Sequence, residues 1–167
     1  MNNKIYFPFS NITGQDKAKL ALILALVNEK ISGVILFGAT GTGKSTLLRS
    51  LSEIASVELI NIPLNITDDM LLGGIDIETT IKAGSKVLSK SLLERAKNNI
   101  IYIDEVNLLR QELLTAVFNV NTLGINHVER DGISYTHETH FTVIAAMDPE
   151  EGVLPDYLLD RFGMYVN

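Results

Sequence analysis

Uninterrupted apolar stretches, each stopping at a glycine or a carboxylate, set the frame for this chain. Residues 33–37 run apolar up to Gly38, residues 100–103 up to Asp104 and Glu105, and residues 141–147 up to Asp148. A strand buried on both faces reads this way, without the alternation of a half-exposed strand. Residues 57–62 and 163–166 read as two further strands. Helical patterns fill the gaps at residues 17–28, 44–53, 92–97 and 111–120, and residues 155–161 open a short helix with Pro155 in its first turn. This alternation predicts an α/β domain in three layers, a parallel sheet with helices on both faces.

Two segments interrupt the pattern. Residues 66–90, with Gly73, Gly74 and Gly84, read as a loop. Residues 124–140 read as a β-hairpin turning at Asp131-Gly132, a pair favoured in tight turns. That turn pairs Arg130 with Ile133, His127 with Thr136 and Asn126 with His137. One face then carries His127, Glu129, Ser134 and Thr136, and the other carries Val128, Ile133, Tyr135, Asn126, Arg130 and His137. A polar and a mixed face predict a solvent-exposed hairpin that contacts a partner. His127 and His137 fall on opposite faces, which speaks against a shared metal. The acidic residues Asp68, Asp69, Asp76 and Glu78 read as a solvated loop and not as an ion site.

The bulk properties narrow the classes. At 167 residues the chain fits one domain. Its formal charge of -6 speaks against sequence-independent nucleic-acid binding, which needs a concentrated basic surface. The absence of cysteine excludes disulfides and thiolate zinc sites and suits a cytoplasmic setting. The longest apolar run, residues 20–27, falls far short of the ~20 residues of a membrane helix. The N-terminus, with Lys4 and Pro8, has no signal-peptide core.

Residues 38–45, Gly-Ala-Thr-Gly-Thr-Gly-Lys-Ser, match every position of the phosphate-loop pattern, between an apolar strand and a helix. Glycines let the backbone curl with its N–H groups turned inward, and the helix start adds a positive end at the same spot. Thr40, Gly41, Thr42, Gly43, Lys44, Ser45 and Thr46 are therefore the expected ATP contacts. Lys44 reaches the β- and γ-phosphates, and Ser45 offers its hydroxyl to Mg²⁺. Ligands of parallel sheets bind at the carboxyl ends of strands. Asp104 is therefore placed to hold Mg²⁺, and Glu105 to orient or deprotonate the water that attacks the γ-phosphate.

With these pieces in place the chain resembles the AAA+ ATPases, and within them the small ATPase subunit of magnesium chelatase. The likeness is carried by Phe7-Pro8-Phe9-Ser10, Gly14-Gln15-Asp16, the phosphate loop, Gly74-Ile75-Asp76-Ile77-Glu78 and Asp104-Glu105-Val106-Asn107-Leu108-Leu109. It continues through Val128-Glu129-Arg130-Asp131-Gly132-Ile133-Ser134, Met147-Asp148-Pro149-Glu150-Glu151-Gly152 and Leu158-Leu159-Asp160-Arg161-Phe162-Gly163. The last three segments are the specific ones.

The resemblance implies a P-loop NTPase (AAA+) core, with residues 71–90 as an insert in the second helix and the hairpin preceding the sensor strand. It places residues 9–15, with Ile12 and Gln15, beside the adenine. It makes Arg161 an arginine finger acting on a neighbour's ATP in a homo-oligomeric, hexameric ring. It implies a motor that drives a partner subunit to insert a metal ion into a tetrapyrrole. A MoxR-type chaperone acting on a protein client, or a nucleotide-binding scaffold with little turnover, are the alternatives. A helicase of the minichromosome-maintenance type fits poorly, because Arg130 is the one permanently basic side chain in the hairpin.

Two departures from the family stand out. Asp148 takes the catalytic sensor position where the family usually has asparagine, and an ionised carboxylate cannot donate a hydrogen bond and repels phosphate oxygens. The family also continues into a C-terminal helical lid, which this sequence is expected to lack.

Overall fold

The computed structural model describes residues 7–28, 30–130 and 132–167. Five parallel strands form the main sheet: β1 (Val34–Phe37), β2 (Leu59–Asn61), β3 (Ile100–Ile103), β6 (Thr142–Met147) and β7 (Met164–Val166), in the order β2-β3-β6-β1-β7. The remaining two, β4 (Ile125–Arg130) and β5 (Ile133–Glu138), pair with each other as the hairpin.

Alternate residues along each central strand serve opposite faces of the sheet. Val34, Leu36, Ile100, Tyr102, Ile144 and Ala146 pack with α1 (Asp16–Val27) and α2 (Lys44–Ala55), through Ala18, Leu22, Ala25, Leu47, Leu48 and Leu51. Ile35, Ile101, Ile103, Val143, Ala145 and Met147 face the other way. They meet Leu113, Leu114, Val117 and Phe118 of α6 (Gln111–Leu123) and Leu158 of α7 (Asp156–Leu159). Both faces are apolar, which is why the strands read as unbroken runs. No described helix is long and apolar enough to cross a membrane.

The sheet order positions the site. After β1 the chain crosses to β2 at one edge, and after β6 it crosses to β7 at the other. The loops leaving β1 and β6 therefore diverge and open a crevice above the strand ends. Gly38 N–H donates to the Met147 carbonyl at 3.1 Å and pins the two loop bases together.

The stretch 66–90 is not the loop its glycines suggest. It holds α3 (Asp68–Leu72) and α4 (Ile77–Ala83), an Ile75–Leu88 bridge closes the segment around α4, and α5 (Leu92–Arg95) follows. These helices are too short to show a 3.6-residue pattern, and caps define them instead. Thr67 Oγ1 accepts from Met70 N, Asp76 Oδ1 from Thr79 N, and Ser91 Oγ from Glu94 N. The acidic residues fall in first turns, where the helix dipole favours them. Asp68 also pairs with Arg110 at 2.7 Å and Glu78 with Lys82 at 2.5 Å.

The hairpin has the expected register, Arg130 opposite Ile133, His127 opposite Thr136 and Asn126 opposite His137. Asp131 of the turn lies outside the described residues. The expectation of a solvent-exposed hairpin fails on one face. Asn126 and Val128 are buried, and the Asn126 amide donates to the Leu72 carbonyl at 2.7 Å. The mixed face covers the insert, and the polar face, where His127 bonds Thr136 and Glu129, stays outside.

Candidate nucleotide site

The loop after β1 bends back on itself through glycines that hold positive φ: Gly41 at 87° and Gly43 at 85°. A side chain there would be strained, so the sequence restricts both positions to glycine. The curl ends at Lys44, the first residue of α2. It encloses a cavity of about 220 Å³ lined by Thr40, Gly41, Thr42, Gly43, Lys44, Ser45 and Thr46. Asp104 and Glu105 from the end of β3, and Met147 and Asp148 from the end of β6, close its other wall. Residues 40–45 of the phosphate loop, the acidic pair and Asp148 thus line one cavity, with Gly38 and Ala39 outside its lining.

The polar groups of this wall are tied to one another. Lys44 Nζ donates to the carbonyls of Gly38 and Ala39 at 2.6 and 3.0 Å. Ser45 Oγ lies 3.4 Å from Asp104 Oδ2 and 3.1 Å from the Tyr102 hydroxyl. Burial pushes the Tyr102 phenol above its usual range, so it stays a neutral hydroxyl. Tyr102 was not expected among the site residues. Its one signal is a hydroxyl inside the otherwise aliphatic run 100–103.

Glu105 adopts a left-handed backbone, φ 49° and ψ 51°. For a non-glycine residue this costs on the order of 1 kcal/mol or more. The turn takes the chain off the strand while leaving Glu105 on the cavity wall beside Asp104.

A second cavity of about 630 Å³ adjoins the first and shares Thr42 and Lys44 with it. Gly14, Gln15, Asp16 and Ala18 line it on one side, Phe37, Val166 and Asn167 on another. Gln15 Nε2 donates to the Thr42 carbonyl at 2.7 Å and ties this wall to the phosphate loop. Ile12 is not among the lining residues. It packs against the α1 and α2 side of the core, and its carbonyl accepts from Lys19.

Asp148 is almost buried, at 8% exposure, and both carboxylate oxygens are used. Oδ2 accepts from Thr40 N at 3.0 Å, and Oδ1 caps the 3₁₀ turn Pro149–Glu151 by accepting from Glu150 N at 3.1 Å. It is thus a carboxylate held by backbone N–H groups and seated on the phosphate loop itself.

Arg161 stands apart from the cavity. It follows α7 at the other end of the sheet, where Gly163 N–H donates to the carbonyl of Gly33, just before β1. The four residues of β1 separate the two ends by ~13 Å at ~3.3 Å per residue. The ring of Phe162 is buried edge-on against Phe118, centroids 4.8 Å apart, and Arg161 beside it is exposed and forms no ion pair with the described residues.

A family model described as an AAA domain of the dynein-related subfamily matches residues 33–162. The chain belongs to the AAA domain family. The match covers the phosphate loop, the acidic pair, Asp148 and Arg161 of this AAA domain. Among curated relatives, an uncharacterised protein of Mycobacterium tuberculosis is 42% identical, over 96% of this chain and 27% of that protein. The magnesium-chelatase 38 kDa subunit of Rhodobacter capsulatus is 38% identical, over 96% of this chain and 55% of the subunit. A solved structure of the complex between subunits BchI and BchD of magnesium chelatase matches with TM-score 0.83 and 36% identity, over 97% of this chain and 61% of that one. The AAA domain spans about half the length of the chelatase subunits it matches.

Proposed function

We propose that this AAA domain binds ATP with Mg²⁺ and hydrolyses it as one subunit of a ring, a hexamer, that serves as the motor of a magnesium-chelatase-type metal insertion. The observation that carries the reading is one cavity holding a curled phosphate loop, Lys44, Ser45, Asp104 and Glu105 together. The donor set of Ser45 hydroxyl and Asp104 carboxylate, 3.4 Å apart, is oxygen-only and fits a hard cation such as Mg²⁺. When bound, that ion offsets charge on the β- and γ-phosphates.

The chain's own groups divide the rest of the work. The base side of the nucleotide takes the larger cavity behind Gln15. The phosphate chain crosses Thr42 and Lys44, which line both cavities, toward Asp104 and Glu105. Lys44 leaves the loop carbonyls for phosphate oxygens. Glu105 holds the attacking water and accepts its proton as the new O–P bond forms and the bond to the β-phosphate oxygen breaks. Arg161 lies too far from its own cavity to take part, which favours its action on a neighbour's γ-phosphate and makes the ring part of the active site.

The chelatase assignment draws on relatives named as magnesium-chelatase subunits, and the partner is read as a second subunit on which metal insertion takes place. The bond from Thr40 to Asp148 favours a second reading, a nucleotide-binding subunit with slow turnover. The deciding experiment measures steady-state phosphate release and equilibrium ATP binding, with Glu105→Gln as control. Turnover that falls by about 10²-fold or more with binding intact supports the motor. Tight binding without turnover in either protein supports the slow subunit.

A further inference from the structure

We infer that Asp148 sets the preference of this site between nucleoside diphosphate and triphosphate, by occupying the phosphate-loop N–H that faces the terminal phosphate. The inference rests on the nucleotide reading above and adds to it a direction along the site. The larger cavity, at Gln15 and Val166, and the smaller one, at Asp104 and Glu105, meet at Thr42 and Lys44. A nucleotide laid across both puts its last phosphate at the Asp104 and Glu105 end. Asp148 lines that end.

Its carboxylate does there what a phosphate oxygen would do. Oδ2 accepts from the Thr40 amide at 3.0 Å, while the second oxygen is held by Glu150 N at 3.1 Å. The side chain is fixed at both ends and nearly buried, so it does not swing away freely. A terminal phosphate that reaches Thr40 N must displace this oxygen or lie beside it, anion against anion in a partly desolvated crevice. A diphosphate ends short of Asp148 and leaves the bond in place. The Thr40–Asp148 bond is therefore a clasp that closes over the diphosphate state and opposes the triphosphate state. An asparagine at 148 keeps the shape and can still accept from Glu150 N. Its amide removes the charge and, turned toward the loop, offers a terminal phosphate a donor.

The test is calorimetric binding with Mg²⁺ of ADP and of a non-hydrolysable ATP analogue to the wild-type chain, Asp148→Asn and Asp148→Ala. The wild type is expected to hold ADP more tightly than the analogue. Asp148→Asn is expected to tighten the analogue by about tenfold and to move ADP by less than about twofold. Asp148→Ala, which cannot accept from Thr40, shifts the ratio in the same direction. An unchanged ratio in Asp148→Asn, or a shift toward ADP in either variant, overturns the clasp while the nucleotide reading stands. Failure of the wild type to bind either nucleotide overturns both.

Discussion

The phosphate-loop end of the sheet and Arg161 at its other end differ in how their polar side chains are held. At the carboxyl ends of β1, β3 and β6, Lys44, Ser45, Asp148 and Gln15 each have a partner within the chain. At the amino ends, Arg161 is exposed and holds nothing among the described residues. In the proposed reading a single chain builds the part of the site that binds and leaves outward-facing the part that would complete it. In the proposed ring the first end of one subunit meets the second end of the next, and neither end suffices for fast hydrolysis.

The strongest way to break this comparison is to remove Arg161. Arg161→Ala is expected to lower turnover by about 10³-fold with ATP affinity unchanged. Mixing it with Lys44→Ala should restore part of the activity, because a mixed interface can pair an intact Lys44 with an intact Arg161. Steady-state phosphate release across mixing ratios reads this out. A strictly additive, dead mixture with assembly intact would refute the trans role.

Glu105→Gln tests the other end. The amide keeps the size of the side chain and the left-handed turn but cannot accept the water's proton. Turnover should fall by about 10²-fold or more, and ATP should bind at least as well as before. A single-turnover assay beside the binding isotherm checks both halves.

How much of this was legible in the sequence follows from how local each signal is. The phosphate loop and acidic pair are short contiguous motifs at strand ends, so residues 38–45, Asp104 and Glu105 were readable, and residues 40–45 share one cavity with both acids. The hairpin register followed from a single turn pair. Tyr102 was missed because its contact with Ser45 spans 57 positions, and a lone hydroxyl in the run 100–103 does not say what it meets. The Thr40–Asp148 bond spans 108 positions and was equally silent, although the identity of Asp148 had marked it as unusual. The helices within residues 66–90 were hidden because capping residues define them and not an apolar stripe. The burial of Asn126 was hidden because only the folded insert supplies the Leu72 carbonyl that satisfies it.

That insert gives a smaller test, of stability and not of catalysis. Asn126→Ala leaves the Leu72 carbonyl without its donor and should cost about 1–3 kcal/mol in a denaturant melt. Its per-subunit ATP affinity should be unchanged, since the hairpin does not line the nucleotide cavities. A loss of ATP affinity in the folded variant would mean that the hairpin shapes the nucleotide site from outside it.

The smallest effect is a pH dependence on the same face. His137 sits beside Tyr135, ring centroids 5.4 Å apart, and both its ring nitrogens are buried without a partner among the described residues. Burial is the main cause holding its pKa below the ordinary 6.5, Glu94 acts in the opposite sense, and Lys97 adds to the lowering. Below 6.5 the unfolded chain therefore binds a proton that the folded chain resists, and the linkage relation makes stability fall as pH falls. The loss begins near the unfolded value and levels off once the pH is below the folded one. His137→Phe keeps an aromatic ring on Tyr135 and removes the titration. Melts of the two proteins across this range should diverge toward low pH, the wild type losing stability that the variant keeps. Parallel curves would mean that His137 takes its proton in place, with the hairpin still docked on the insert.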